Sequence, residues 1–228
     1  MNINNKIFLA LDTATEHGAV TLFDHENIYY SKILSDKYSH SQLVCVALSE
    51  SIALLKLYNK NLSAVFVGLG PGSFVGLRVA LATALGFCFG REIPLMGFCS
   101  HQAIAFSLDT CFLPKLLSIA TKASGDLCYL SSYDNNQELV NSPEVIAKRE
   151  ILATLSSQSL LVTNLDFENL PSDMSVIKCQ GPTAQGLQKA ALSKLKLHEH
   201  IIDESAYIKP NYIKNPSVSI PAFISAKK

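Results

Sequence analysis

Two short segments hold most of the side chains that could do chemistry. Asp12-Thr13-Ala14-Thr15 ends an apolar run with a carboxylate and hydroxyls. Such a set can meet a magnesium–phosphate group, or it can simply make a hairpin turn. Gly68-Leu-Gly-Pro-Gly-Ser-Phe-Val-Gly76, followed by Arg78, lies between a strand-like run and a helix-like run. Gly68, Gly70 and Gly72 let backbone N–H groups turn inward, and the next helix adds a positive N-terminal end. An anion could sit there, with Ser73 as a hydroxyl donor. The spacing is neither GxxxxGK[ST] nor GxGxxG, however, and a tight structural turn explains it better.

Metal and nucleophile chemistry finds less support. His40 opens a long helix-like run, but the position one turn on is Val44, not a second His. His198 and His200 flank Glu199 in a polar, solvated stretch. There is no Gly-x-Ser-x-Gly elbow. The cysteines, Cys45, Cys88, Cys99, Cys111, Cys128 and Cys179, form no CxxC pair. Scattered through apolar runs, they read as buried thiols of a reduced, cytoplasmic protein.

The elements that position these residues follow from patterning. The chain has 228 residues, 48% of them hydrophobic, and a net charge of +0, enough to bury a core. The even charge argues against a protein that grips nucleic acid alone. The apolar run Val79–Gly90 is shorter than the ~20 residues a membrane span needs. Lys6–Asp12, Gly18–Asp24 and Asn27–Leu34 suit a β-meander. Ser39 and Gln42 have capping-box spacing, which predicts a helix to about Lys56. A strand at Ser63–Gly68, a helix over Phe74–Gly90, a strand at Ile93–Gly97 and a helix capped by Ser100 complete a β-β-β-α-β-α series. The second half repeats it with strands at Lys115–Ala120, Leu127–Tyr133 and Glu138–Val140 and a helix at Pro143–Leu155. A strand at Ser159–Thr163, another near Val176–Cys179 and a helix opening at Gly181-Pro182-Thr183 follow. This predicts two α/β lobes, 1–105 and 106–228, around a cleft, with an irregular tail after Glu204. Six consecutive apolar residues, Leu43–Leu48, exceed what one buried helix face requires, so the first helix should be covered on two sides.

Together these segments resemble the TsaB (YeaZ) family. Ile7-Phe-Leu-Ala-Leu-Asp-Thr-Ala-Thr15, Ser39-His-Ser-Gln-Leu43 and the Gly68–Arg78 segment carry the likeness, against a family loop reading G-x-G-P-G-S-F-T-G-x-R. The resemblance implies two ribonuclease-H-like lobes of the actin/Hsp70/sugar-kinase fold. It also implies a noncatalytic subunit in forming N6-threonylcarbamoyladenosine at position 37 of tRNAs that read ANN codons. Such proteins pair through their first two helices with the TsaD transferase, or with a second copy when alone. The ATPase TsaE joins the pair, ATP or ADP with magnesium can lie near the interface, and tRNA is met through the complex. The metal His pair of TsaD is incomplete here at His40 and Val44.

Three departures stand out: Val75 for the loop Thr, Thr121-Lys-Ala123 for Asp-Ala-Arg, and Tyr-Ile-Lys at Tyr212 for Tyr-Leu-Arg. The expected partner face comprises Leu43, Ala47, Ser51 and Leu54 with Ala80, Ala84 and Phe87. A charge at Ala84 should then break pairing while the lobe stays folded. Expected nucleotide or anion contacts are Asp12, Thr13, Gly70, Gly72, Ser73 and Arg78. The alternative function is a nucleotide-binding ATPase or phosphotransferase that uses the interlobe cleft.

Overall fold

The computed structural model describes residues 6–35, 40–109, 114–155, 159–167, 170–172, 174–198 and 200–213. Strands β1 (Ile7–Asp12), β2 (Gly18–Phe23) and β3 (Ile28–Leu34) form the meander. Helix α1 (His40–Leu57), β4 (Leu62–Gly68), α2 (Phe74–Phe89), β5 (Leu95–Phe98) and α3 (Ser100–Ala105) follow. The second series is β6 (Leu116–Lys122), β7 (Leu127–Asp134), β8 (Leu139–Ala147), α4 (Lys148–Thr154), β9 (Ser159–Thr163), β10 (Ser175–Lys178) and α5 (Ala184–His198).

The sheets run β3-β2-β1-β4-β5 and β10-β9-β6-β7-β8. Within each, the first strand pairs antiparallel with the second and parallel with the fourth. The same mixed-sheet order therefore occurs twice, which is the ribonuclease-H-like plan duplicated. β1 and β4 are buried on both faces, so they read as apolar runs, while β3 alternates between half-buried and exposed positions.

Helices cover both faces of each sheet. α1 and α2 bury Val44, Ala47, Ala80 and Ala84 against Leu9, Leu11 and Val67 on one face of the first sheet. The other face is covered by α5, whose Leu187, Ala190, Ala191 and Leu195 meet Phe8, Phe23 and Phe66. In return Ile104 and Ala105 of α3 pack on Leu117, Ile119 and Tyr133 of the second sheet. Each half lends its last helix to the other half's sheet. Gly186 makes this exchange close, because a Cβ there would collide with the Ala103 carbonyl and the Ser107 hydroxyl.

Two segments differ from the sequence expectation. The helix expected from Pro143 starts at Lys148, because β8 runs through Pro143. β8 is an edge strand, where a missing N–H is tolerated, and its register with β7 shifts around that residue. Ser100 is the first helical residue rather than a cap, and its hydroxyl accepts from Gly70 N–H at 3.0 Å. The expected Ser39 cap lies outside the described residues.

The tail is ordered by specific bonds. Glu204 N–H donates to the Leu95 carbonyl (2.8 Å), and Asp203 Oδ1 accepts from Leu95 N–H (3.1 Å). Glu204 Oε2 accepts from Gly97 N–H (2.7 Å), while its other oxygen pairs with Lys194 at 2.9 Å. Asn211 N–H then reaches the Leu69 carbonyl (2.8 Å). The tail thereby supplies the partners that a sixth strand would give the edge of β5.

Candidate functional site

The turn after β1 and the glycine loop before α2 are packed backbone on backbone. Asp12 is fully buried at the end of β1, and its Oδ1 accepts from Ala14 N–H at 2.6 Å. Its Oδ2 has no hydrogen-bond partner of normal geometry, although the Ser100 hydroxyl beside it eases ionisation. Burial dominates and pushes the Asp12 carboxyl up to about 6. Thr13 Oγ1 donates to the Gly76 carbonyl (2.7 Å), and Ser73 N–H donates to the Ala14 carbonyl (2.6 Å).

The glycines serve this close approach. A Cβ at Gly68 would overlap the Asp12 carboxylate, at Gly72 the Ala14 carbonyl, and at Gly76 the Thr13 carbonyl. Gly70 has φ +102°, which an L side chain resists. The structure thus brings Asp12, Thr13, Gly70, Gly72 and Ser73 together. Gly70 N–H is spent on Ser100, Ser73 N–H on Ala14 and Gly76 N–H on Ser73 Oγ (3.2 Å). With Oδ2 also shut off from solvent, these residues do not fit a magnesium–phosphate group. The cleft is bridged here as well, by His17 N–H donating to the Gln180 carbonyl across the two halves (2.9 Å).

Arg78 stands apart from this cluster. It is exposed, its guanidinium lies 3.8 Å from the centroid of the Phe74 ring, and its Nε donates to Tyr212 Oη at 3.2 Å. Tyr212 itself packs on Phe74 with ring centroids 4.9 Å apart. The tail aromatic therefore fixes the arginine at the start of α2.

His101 was missed by sequence reasoning. It is fully buried, with Nδ1 2.7 Å from Ser131 Oγ and Nε2 2.8 Å from Thr121 Oγ1. Burial pushes the imidazole down to about 3, so the neutral ring ties α3 to β6 and β7. Thr121, at one of the departures, is thus a structural partner of His101. His40 Nε2 lies 3.1 Å from the Leu34 carbonyl, and Val44 is buried one turn below. Among the described residues no group of three His, Cys, Asp or Glu side chains could hold a metal.

The helix face needs correction. Ala47, Ser51, Ala80 and Ala84 are buried inside this chain, and Ser51 Oγ donates to the Ala47 carbonyl at 2.8 Å. They join α1 to α2 and the sheet, so they offer no surface to a partner. A charge at Ala84 would enter this core and unfold the lobe. Leu43, Leu54 and Phe87 are half-buried against the same core. The outward apolar or small residues include Val46 and Leu57 on α1 and Val75, Ala82, Gly86 and Phe89 on α2, and Phe89 is 90% exposed. A groove of about 460 Å³ separates the helices, lined by Ser49, Ile52, Lys56, Thr83, Phe87 and Arg91.

Residues 31–227 match the family described as TsaD, tRNA N6-adenosine threonylcarbamoyltransferase. The chain belongs to this family. Its relatives include TsaB, the tRNA threonylcarbamoyladenosine biosynthesis protein. The Haemophilus influenzae TsaB is 31% identical over 103 residues, covering 45% of this chain and 43% of that protein. The Buchnera aphidicola TsaB is 25% identical over 134 residues, covering 59% of this chain and 63% of that protein. The matched part thus spans less than two thirds of these relatives. The solved YeaZ from Pseudomonas aeruginosa shares the fold, with a TM-score of 0.73 and 21% identity over 91% of this chain and 99% of that one. No helix among the described residues is long and apolar enough to cross a membrane.

Proposed function

We propose that this chain is a noncatalytic partner subunit in the formation of N6-threonylcarbamoyladenosine on tRNA. It docks a TsaD-type transferase on the outward face of α1 and α2. The observation that carries this reading is that face itself. Val75, Ala82, Gly86 and Phe89 lie at helical spacing on α2, exposed and apolar or small. A Cβ at Gly86 would meet nothing within the chain, so no internal packing asks for a mid-helix glycine that costs about 1 kcal/mol. Close approach of a partner helix gives it a reason. The Val44 position, filled by a core side chain, supports a subunit that leaves metal chemistry to the transferase.

In this reading TsaE joins the pair, tRNA is met through the complex, and the isolated chain closes the same face with a second copy. Any ATP or ADP would lie at the partner interface rather than at the Asp12 turn. The test is reconstitution with TsaD, TsaE and the carbamoyl-adenylate synthase. Modification of tRNA should require this chain, and unchanged modification without it would overturn the reading.

A further inference from the structure

Resting on the reading of a subunit that serves tRNA, we propose that residues 205–228 together with Arg78 form an RNA-binding arm, through which this chain touches the tRNA itself. The net charge of +0 hides a segregation. The arm holds Lys209, Lys214, Lys227 and Lys228 and no Asp or Glu, so residues 1–204 are acidic overall. Tyr207, Tyr212 and Phe223 are interleaved with these lysines. Cations that follow the phosphates and flat rings that stack on unpaired bases are the two means by which proteins hold single-stranded RNA. An acidic body repels the phosphate backbone and leaves the arm as the place where it is admitted.

The described part of the arm turns both features outward. It leaves Glu204 beside β5, packs Ile208 against the first core and donates Asn211 N–H to the Leu69 carbonyl. Tyr207 is 65% exposed, and Lys209 and Tyr212 are exposed with it. Tyr212 then packs on Phe74 and accepts from Arg78 Nε, while the Arg78 guanidinium lies over the Phe74 ring. Arg78 is thereby held in place, so little side-chain freedom is lost when it meets a phosphate. Among the described residues neither Arg78 nor Lys209 is paired with a carboxylate. The acids that precede the arm are engaged elsewhere. Glu204 takes Gly97 N–H and Lys194, and Asp203 takes the N–H groups of Leu95 and Ser205. Asp203 acts with Arg91 on Cys88, so it lies with Glu92 by the end of α2, roughly 20 Å from Arg78 at helical rise.

Fluorescence anisotropy of a labelled tRNA that reads an ANN codon, mixed with the full chain alone, tests this. The chain should bind at about 50 mM salt and lose about a hundredfold in affinity by about 200 mM, as about five phosphate contacts require. Lys209→Glu with Lys214→Glu should weaken binding about tenfold and flatten its salt dependence, and Tyr212→Ala should weaken it about fivefold. Lys115→Glu with Arg149→Glu makes the same change of charge at exposed positions of the second half and should leave binding unchanged. Absence of binding by the unaltered chain, equal weakening in the two double variants, or tighter binding to anionic lipid vesicles than to tRNA would overturn the proposal. In the complex with TsaD, the Lys209 and Lys214 variant should keep its affinity for TsaD and bind tRNA about tenfold more weakly. Lost affinity for TsaD with unchanged affinity for tRNA would also overturn it. The first measurement contains no TsaD, so it stands or falls apart from the reconstitution result.

Discussion

Replacing Asp12 by Asn should stabilise the isolated chain at neutral pH. The carboxyl titrates at about 6 in the fold against 3.8 when solvated, with burial the largest cause. A gap of that size costs about 3 kcal/mol once the group is ionised in the folded state. The sign follows from the raised folded value. Below 3.8 the group is protonated folded or unfolded, and there is no penalty. Stability is lost as pH rises from 3.8 through about 6, and the loss is complete above that. Asn keeps the oxygen that accepts from Ala14 N–H and removes the charge from the orphaned position over Gly68.

For a chain of this length the melting temperature should rise by about 6–12 °C near pH 8. The advantage should shrink towards zero near pH 4. His101 titrates in the opposite sense. Its folded value is pushed down to about 3, so its contribution is present above 6.5 and lost as pH falls towards 3. Wild type and variant share His101, so the difference between their melts isolates Asp12. Thermal melts of both across this pH range are the assay. Equal melting temperatures at pH 8, or a gap that does not change with pH, would refute the reasoning.

Two glycines of α2 should behave oppositely. Gly76→Ala forces a Cβ onto the Thr13 carbonyl and should cost about 1–3 kcal/mol in denaturant unfolding. Gly86→Ala should gain about 1 kcal/mol in the isolated chain and weaken binding to TsaD, read by unfolding and by titration. Ala84→Asp should lose the folded circular-dichroism signal, since an unpaired carboxylate in the core costs more than about 3 kcal/mol. A fragment of residues 1–105 should fail to fold, because it lacks α5. Leu187 and Leu195 alone each supply about 1.5–3 kcal/mol of burial, and exchange of its amide hydrogens would report the outcome.

Most strands were legible because their burial is simple. β1 and β9 are buried throughout and β4 from Ala64 onward, and each shows as an apolar run bounded by polar or glycine residues. Pro143 misled because a proline that opens a helix and a proline tolerated on an edge strand look alike without the neighbouring strand. The exchange of α3 and α5 was invisible for a related reason: chain order suggests which elements are neighbours but not which sheet a helix crosses to. The glycine loop was visible, yet its purpose was not. Glycines that admit a phosphate and glycines that admit the Thr13 and Ala14 carbonyls have the same spacing, and only the partner atom separates them.

The helix face shows where composition alone stops. Leu43–Leu48 and Val79–Phe89 announced more apolar surface than one face needs. They could not say which residues turn inward, because α2 is so uniformly apolar that its sequence has almost no preferred side. Ala47, Ala80 and Ala84, expected on a partner face, instead let α1 and α2 approach each other within the chain. What remains outside is the complementary set, which includes Val46, Leu57, Ala82, Gly86 and Phe89. Its single large ring is almost fully exposed, and its glycine has empty space where a side chain would go. A core explains the first set completely and the second not at all. That leftover apolar surface is the strongest reason to treat α1 and α2 as half of an interface.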